Sequence, residues 1–369
     1  MMISVEDFYD NILSDRKEIS KIDVSNVLGS VEELGKQCSH GWEEAGKVEI
    51  PDSYRDVDNV VMCGMGGSGL GARMIDSVYS EKLRVPLIQI HEYHLPGFVN
   101  QKTLVICSSY SGETEETVAN AREAITKKAK WMAIATGNSL IELAKEQGVP
   151  FYQIAAKFNP SNQPRMAVGY SIAGQLVMAA KAGLITVSGD EIGEAIAAMD
   201  SVCREAGVEI QTERNIAKQV AVKMKGKIVV FAAAEHLVGA VHIVNNQQNE
   251  NAKNFCVDVT IPELNHHLME GLKHPLTNQK NLLFVFINSN LYPKRIRQRM
   301  LLTKEVVEKN GIEAVVLEMT SATRLSQAFE LIQLGAFANF YVSIIYGQNP
   351  TPIPWVDYFK ERLGQPLGK

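Results

Sequence analysis

The scarcities of this 369-residue chain exclude several classes of protein. Five cysteines (Cys38, Cys63, Cys107, Cys203 and Cys256) are scattered with no C-x-x-C spacing. Neither a disulfide scaffold nor a cysteine-based zinc site is expected; the thiols read as reduced, small apolar fillers. Basic residues form no block and the net charge is −5, so the balance gives no support to nucleic-acid binding. An anionic ligand would have to be attracted locally. The longest nearly apolar stretch, near 335–346, is too short to span a bilayer. The opening segment "MMISVEDFYDNILSD" lacks a basic stretch followed by an apolar core, so no secretory signal is expected. The reading is cytoplasmic, with no membrane and no nucleic-acid partner.

What is present suits a soluble globular protein: 46% hydrophobic and 21% charged residues, over a length that accommodates two domains. The first half alternates between β-rich runs ("NVVMCG", "VPLIQIHEY", "TLVICSS", "WMAIAT", "PFYQIA") and helical patterns ("SGLGARMIDSVYSEKL", "ETEETVANAREAITKKA", "SLIELAKEQ"). That alternation predicts a doubly wound parallel sheet. "AVGYSIAGQLVMAAKAGLI" reads as the helix closing this domain, and the polar "TVSGDEIGEAI" as a break, so a boundary is expected between 187 and 188. A second set follows, with strands at "KIVVFAAAE", "NFCVDVTI", "NLLFVFINS" and "EAVVLEM". The expected architecture is therefore two α/β parallel-sheet domains, 1–187 and 188–369.

The most telling stretch is "CGMGGSGLG". Gly64, Gly66 and Gly69 match G-x-G-x-x-G, and Glu92 falls where a ribose-binding acid would stand in a dinucleotide site. Such a match alone is weak, because any strand-to-helix turn with a close backbone approach selects glycine. The third strand shifts the balance. It ends in "CSSYSGETEET", which crowds Ser108, Ser109, Ser111 and Thr114 at a helix start, where N–H groups are free and the dipole is positive. One hydroxyl would be an ordinary cap. The three at Ser109, Ser111 and Thr114 exceed that need and point to a phosphomonoester held by Gly67, Ser68, Ser109, Ser111 and Thr114.

"GMGGSG" followed by "SSYSGETEET" resembles the sugar isomerase (SIS) domain, a phosphosugar-binding α/β module. With "NQPRMAVGY", "NNQQNENAK", "PELNHH" and "NPTPIPWVDYFKERL", essentially the whole chain resembles the bifunctional phosphoglucose/phosphomannose isomerases, known mainly from archaea. The resemblance implies two SIS-type domains, a homodimer, and an aldose–ketose isomerase that interconverts glucose 6-phosphate, mannose 6-phosphate and fructose 6-phosphate through a cis-enediol. That chemistry needs a base between C1 and C2, a ring opener and a positive group for the enediolate, but no metal or organic cofactor. Glu250 in "NENAK" is the candidate base. His266 in "PELNHH" is the candidate ring opener; the family usually has Asn at the next position, where this chain has His267, so either histidine is open. The resemblance implies that this histidine reaches the partner subunit's site. Arg165 in "NQPRM" is the candidate stabiliser of the enediolate, Lys360 an assistant in ring opening, and Thr351 a lining residue of the sugar pocket. A non-catalytic phosphosugar sensor, another phosphosugar isomerase and a nicotinamide-dependent dehydrogenase are the rival readings.

Overall fold

The structure, a computed structural model, describes residues 12–364; residues 1–11, read above for a signal, lie outside them. Two parallel sheets organise the chain. The first has strands β1 (Asn59–Cys63), β2 (Leu87–Ile90), β3 (Thr103–Ser108), β4 (Lys130–Ala135) and β5 (Phe151–Gln153), in the order β2-β1-β3-β4-β5. The second has β6 (Ile228–Ala234), β7 (Cys256–Ile261), β8 (Leu282–Ser289) and β9 (Glu313–Met319), in the order β7-β6-β8-β9. All pairings are parallel, with Met62 opposite Ile106 in one sheet and Phe231 opposite Val285 in the other. The central strands are chiefly apolar because helices cover both faces. Every residue of β3 is buried.

In chain order the helices are α1 (Arg16–Ile22), α2 (Val27–Glu32), α3 (Leu34–Gly46), α4 (Leu70–Tyr79), α5 (Glu115–Thr126), α6 (Asn138–Gln147), α7 (Val168–Lys181), α8 (Gly189–Ala206), α9 (Ile216–Met224), α10 (Val238–Glu250), the one-turn α11 (Asn278–Asn281), α12 (Lys294–Lys309), α13 (Arg324–Ile345) and α14 (Pro354–Leu363). The polar "TVSGDEIGEAI" is a break only as far as Ser188. There the Ser188 hydroxyl caps α8 by accepting from the Glu191 N–H (3.1 Å). Asp190 and Glu191 then favour the positive end of the helix. The acidic residues that suggested a linker are first-turn residues of a helix whose other face, Ile192, Ala195, Met199 and Val202, is buried. It lies along α13 and also touches α3.

Helix α13 is long and apolar enough to cross a membrane by length and composition, yet nine-tenths of it is buried within the protein. Several of its polar residues find partners there, although Gln333 Oε1 is buried without one among the described residues. Gln333 donates to the Val31 carbonyl (2.9 Å), Ser343 to the Phe340 carbonyl (2.6 Å) and Asn339 to Gly335 (2.5 Å). A core helix needs such internal partners because no water reaches its polar groups.

The two sheets meet through α4 and α10. Gly239 at the start of α10 lies so close to α4 that a methyl group there would sit 2.4 Å from the Arg73 carbonyl oxygen. This crossing joins the two candidate elements: α4 follows the glycine loop, and α10 ends at Glu250.

Candidate active site

In the first sheet the chain runs from β1 to β2 on one side and then crosses to β3 on the other. The carboxyl ends of β1 and β3 are therefore the topological switch point, where open α/β sheets bind ligands. The glycine loop follows β1 and the hydroxyl loop follows β3. Residues Gly66–Gly69 form a single 3₁₀ turn leading into α4. Gly64 and Gly69 are required by crowding, since a Cβ on Gly69 would lie 2.7 Å from the Gly64 carbonyl oxygen. Gly66 and Gly67 open the turn, so their N–H groups have no partner within it. The hydroxyl loop has its own glycine requirement: Gly112 has φ 76°, and a side chain there would run into the Gly137 carbonyl.

The five phosphate-loop residues divide into two kinds. Ser68 and Ser109 are buried. Ser68 Oγ accepts from the Tyr110 N–H (2.8 Å), tying one loop to the other. Ser109 Oγ accepts from the Gly112 N–H (3.1 Å) and pairs with Thr114 Oγ1 (2.8 Å). Gly67, Ser111 and Thr114 line the accessible surface of the cradle. Thr114 occupies the N-cap position of α5, but its side chain makes no capping bond to the helix. Its hydroxyl is thus not explained by capping.

His91 was not singled out from the sequence. It closes the side of the glycine loop where a dinucleotide's ribose acid would act. Its Nδ1 is 2.8 Å from the Gly64 carbonyl oxygen and its Nε2 3.3 Å from Arg73 Nη2. Glu92 points no carboxylate into this arrangement among the described bonds; its carbonyl accepts from Asn120 (2.9 Å).

The second sheet has an equivalent switch point between β6 and β8. Gln327 of α13 fills it. Its Oε1 takes the Ser289 hydroxyl (2.6 Å) and lies 2.9 Å from His236 Nε2, while its Nε2 donates to Asn290 (2.9 Å) and the Ser321 carbonyl (2.9 Å). The first crevice is flanked by the glycine and hydroxyl loops, whereas Gln327 occupies the second.

Arg165, in the 3₁₀ turn Pro164–Met166 before α7, adjoins the cradle: a Cβ on Gly67 would be 4.0 Å from the Arg165 Cα. Its guanidinium makes four hydrogen bonds to protein, from Nε to Asn251 Oδ1 (2.8 Å), Nη1 to Gln163 Oε1 (3.1 Å), and Nη2 to the carbonyls of Pro350 (2.9 Å) and Thr351 (2.5 Å). A guanidinium has five N–H donors, so Arg165 is chiefly a fixed positive charge here. Burial lowers its pKa, and Glu250 and Asp357 act against that. Asn251 is held in turn by Asn339, which reaches Gln247 (3.3 Å).

Glu250 ends α10. Its carboxylate has no hydrogen-bond partner among the described residues. Burial raises its pKa above the usual carboxylate range, while Arg165, Lys253 and Lys360 pull it back. The structure thus brings together Arg165, Glu250 and Lys360 with Thr351, whose buried Oγ1 has no hydrogen-bond partner among the described residues. Lys253 joins them, pushed down to about 8 by burial and by Arg165. In the sequence Lys253 is only the last residue of "NENAK".

His266 is not in this group. It ends the turn Glu263–His266 beyond β7, is exposed like His267, and makes no hydrogen bond or ion pair among the described residues. Glu250 precedes β7 and His266 follows it, so the strand's six residues separate them by roughly 20 Å. Among the described residues no group of three or more His, Cys, Asp or Glu is arranged to hold a metal ion.

Comparison with known proteins agrees with this fold. Residues 213–363 match the family described as the bacterial phospho-glucose isomerase C-terminal SIS domain. A solved structure of a hypothetical protein from Thermus thermophilus superposes with a TM-score of 0.71 at 15% identity, covering 97% of this chain and 94% of that one. Fold and cradle define the class: a two-domain α/β protein of the SIS type. Two relatives narrow it. A bifunctional phosphoglucose/phosphomannose isomerase of Caldicellulosiruptor bescii is 31% identical over 92% of this chain and 99% of its own length. Another, of Aquifex aeolicus, is 28% identical over 87% and 94%. The chain belongs to the bifunctional phosphoglucose/phosphomannose isomerase family.

Proposed function

We propose that this protein interconverts fructose 6-phosphate with both glucose 6-phosphate and mannose 6-phosphate. The observation that carries the reading is Glu250: a desolvated carboxylate without a hydrogen-bond partner, faced by three cations, near the loops at the switch point. The phosphate sits against the N–H groups of Gly66 and Gly67 and the hydroxyls of Ser111 and Thr114. Ser68 and Ser109 hold the two loops in register. Glu250 takes the proton from C2 of the open-chain aldose, or C1 of the ketose, and returns it to the other carbon. Desolvation raises its basicity toward the working pH, which is what a general base requires. The developing negative charge on the C1 and C2 oxygens is met by the cationic field of Arg165 and Lys360. Thr351 offers the sugar a free buried hydroxyl.

Ring opening is assigned to His266, donated by a second copy. The roughly 20 Å that β7 puts between Glu250 and His266 supports this, because the histidine cannot serve the base of its own chain. In this reading the active unit is a homodimer, and it works where sugar phosphates are held, in the cytoplasm. Both epimers are handled by rotation about C2–C3 in the enediol.

The test is incubation with fructose 6-phosphate and no added cofactor, with products followed by NMR. Both aldoses should form. Glucose 6-phosphate alone would restrict the reading to one epimer, and no aldose at all would refute it. Glu250→Gln should lower kcat by about 10²–10⁴-fold, the range for a lost general base, while sugar-phosphate affinity measured by calorimetry stays near wild type.

A further inference from the structure

Lys253 lies three residues after Glu250, in the turn between α10 and β7. Its backbone is left-handed (φ 50°), a conformation that L residues other than Asn and Asp rarely adopt. The turn aims its ammonium away from solvent. Lys253 Nζ donates to the Pro350 carbonyl at 2.5 Å and to the Asn251 carbonyl at 3.3 Å. Arg165 Nη2 donates to the same Pro350 carbonyl at 2.9 Å. Two like charges, both partly desolvated, converge on one oxygen. Arg165 disfavours the charged form of Lys253, and Glu250 opposes that effect. Such an arrangement costs stability, so a structural filler would not select it.

The carbonyl they share begins the segment that leads into α14. That helix has no buried residue: Trp355 is 82% exposed, Phe359 62% and Tyr358 58%. It therefore has no core contact of its own to fix its position. Yet it carries Lys360, whose charge acts on Glu250, and Asp357, whose charge acts on Arg165. The connection that fixes it to the site is at its base, through Pro350 and Thr351.

We propose that Lys253 is a positioning residue of the active site: with Arg165 it pins the Pro350 carbonyl, and so holds Thr351 and the Lys360-bearing helix α14 beside Glu250. The kinetic half of this inference rests on the isomerase reading above; the mechanical half does not.

The experiment compares wild type, Lys253→Met, Lys253→Arg, Lys360→Met and the Lys253→Met/Lys360→Met double variant. It uses hydrogen exchange over residues 350–363 and steady-state kinetics on fructose 6-phosphate. Lys253→Met should accelerate exchange in 350–363 and lower kcat about tenfold, the cost of a misplaced catalytic group. Lys253→Arg should restore both. In the double variant the Lys253 lesion should add almost nothing to the kcat loss of Lys360→Met, because both act through the same group. Unchanged exchange over 350–363 in Lys253→Met overturns the proposal, as do fully additive kcat losses. A wild type without isomerase activity removes the functional reading but leaves the exchange comparison to decide whether Lys253 is the latch.

Discussion

Gly239→Ala tests whether the two halves of the site are held by the helix crossing. The added methyl would stand 2.4 Å from the Arg73 carbonyl oxygen and 2.6 Å from Ser77 Oγ. The first neighbour is backbone and cannot swing aside. Ordinary contact begins near 3.4 Å, so α10 must move about 1 Å from α4. Overpacking of this kind costs about 1–3 kcal/mol. Because α4 follows the phosphate cradle and α10 ends at Glu250, the same shift moves the base relative to the substrate's anchor. A 1 Å misplacement of reacting groups costs up to about 10²-fold. The variant should therefore lose about 1–3 kcal/mol in urea unfolding and about 10–100-fold in kcat, with a smaller change in phosphate affinity. Gly193→Ala on the exposed face of α8 meets nothing within 4 Å; it should leave kcat alone and stabilise by roughly 0.5–1 kcal/mol. Wild-type kcat and unfolding midpoint in Gly239→Ala would refute the argument that this crossing sets the site.

Three further outcomes are expected. Glu250 must be ionised to act, so kcat/KM should rise with pH through its raised pKa; Lys360→Met removes a cation that favours the carboxylate and should move this acidic limb to higher pH, whereas an unmoved limb would place Lys360 away from the base. Mixing inactive Glu250→Gln with inactive His266→Ala should restore about a quarter of wild-type activity, because half of the randomly formed dimers carry one intact site; failure to complement, with His267→Ala alone being the inactive histidine variant, would transfer the ring-opening role. Ser111→Ala with Thr114→Ala should raise KM for fructose 6-phosphate much more than it lowers kcat, since phosphate contacts bind ground and transition state alike; an unchanged KM would put the phosphate elsewhere.

The sequence by itself determined the nine strands and the helices α4–α7 of the first half, because buried parallel strands are apolar runs and the covering helices are amphipathic; α1–α3 and α8–α10 are not legible in it as helices. It also marked the two loops that meet at the first sheet's switch point. Gly112 and Ser109 are chosen by geometry within a few residues, so "SSYSGETEET" could be read as a loop that presents hydroxyls. Tertiary structure alone decided what the candidate catalytic residues face. The Pro350 carbonyl is 97 residues from Lys253 and 185 from Arg165, and no periodicity in the chain announces that meeting. Gln327 closing the second switch point, and His91 beside the glycine loop, belong to the same kind: single polar side chains whose role depends on strand order and helix crossing. Even Glu250 is unremarkable in sequence. Its raised pKa comes from desolvation at the end of α10, and burial is a property of the packed fold rather than of the five letters around it.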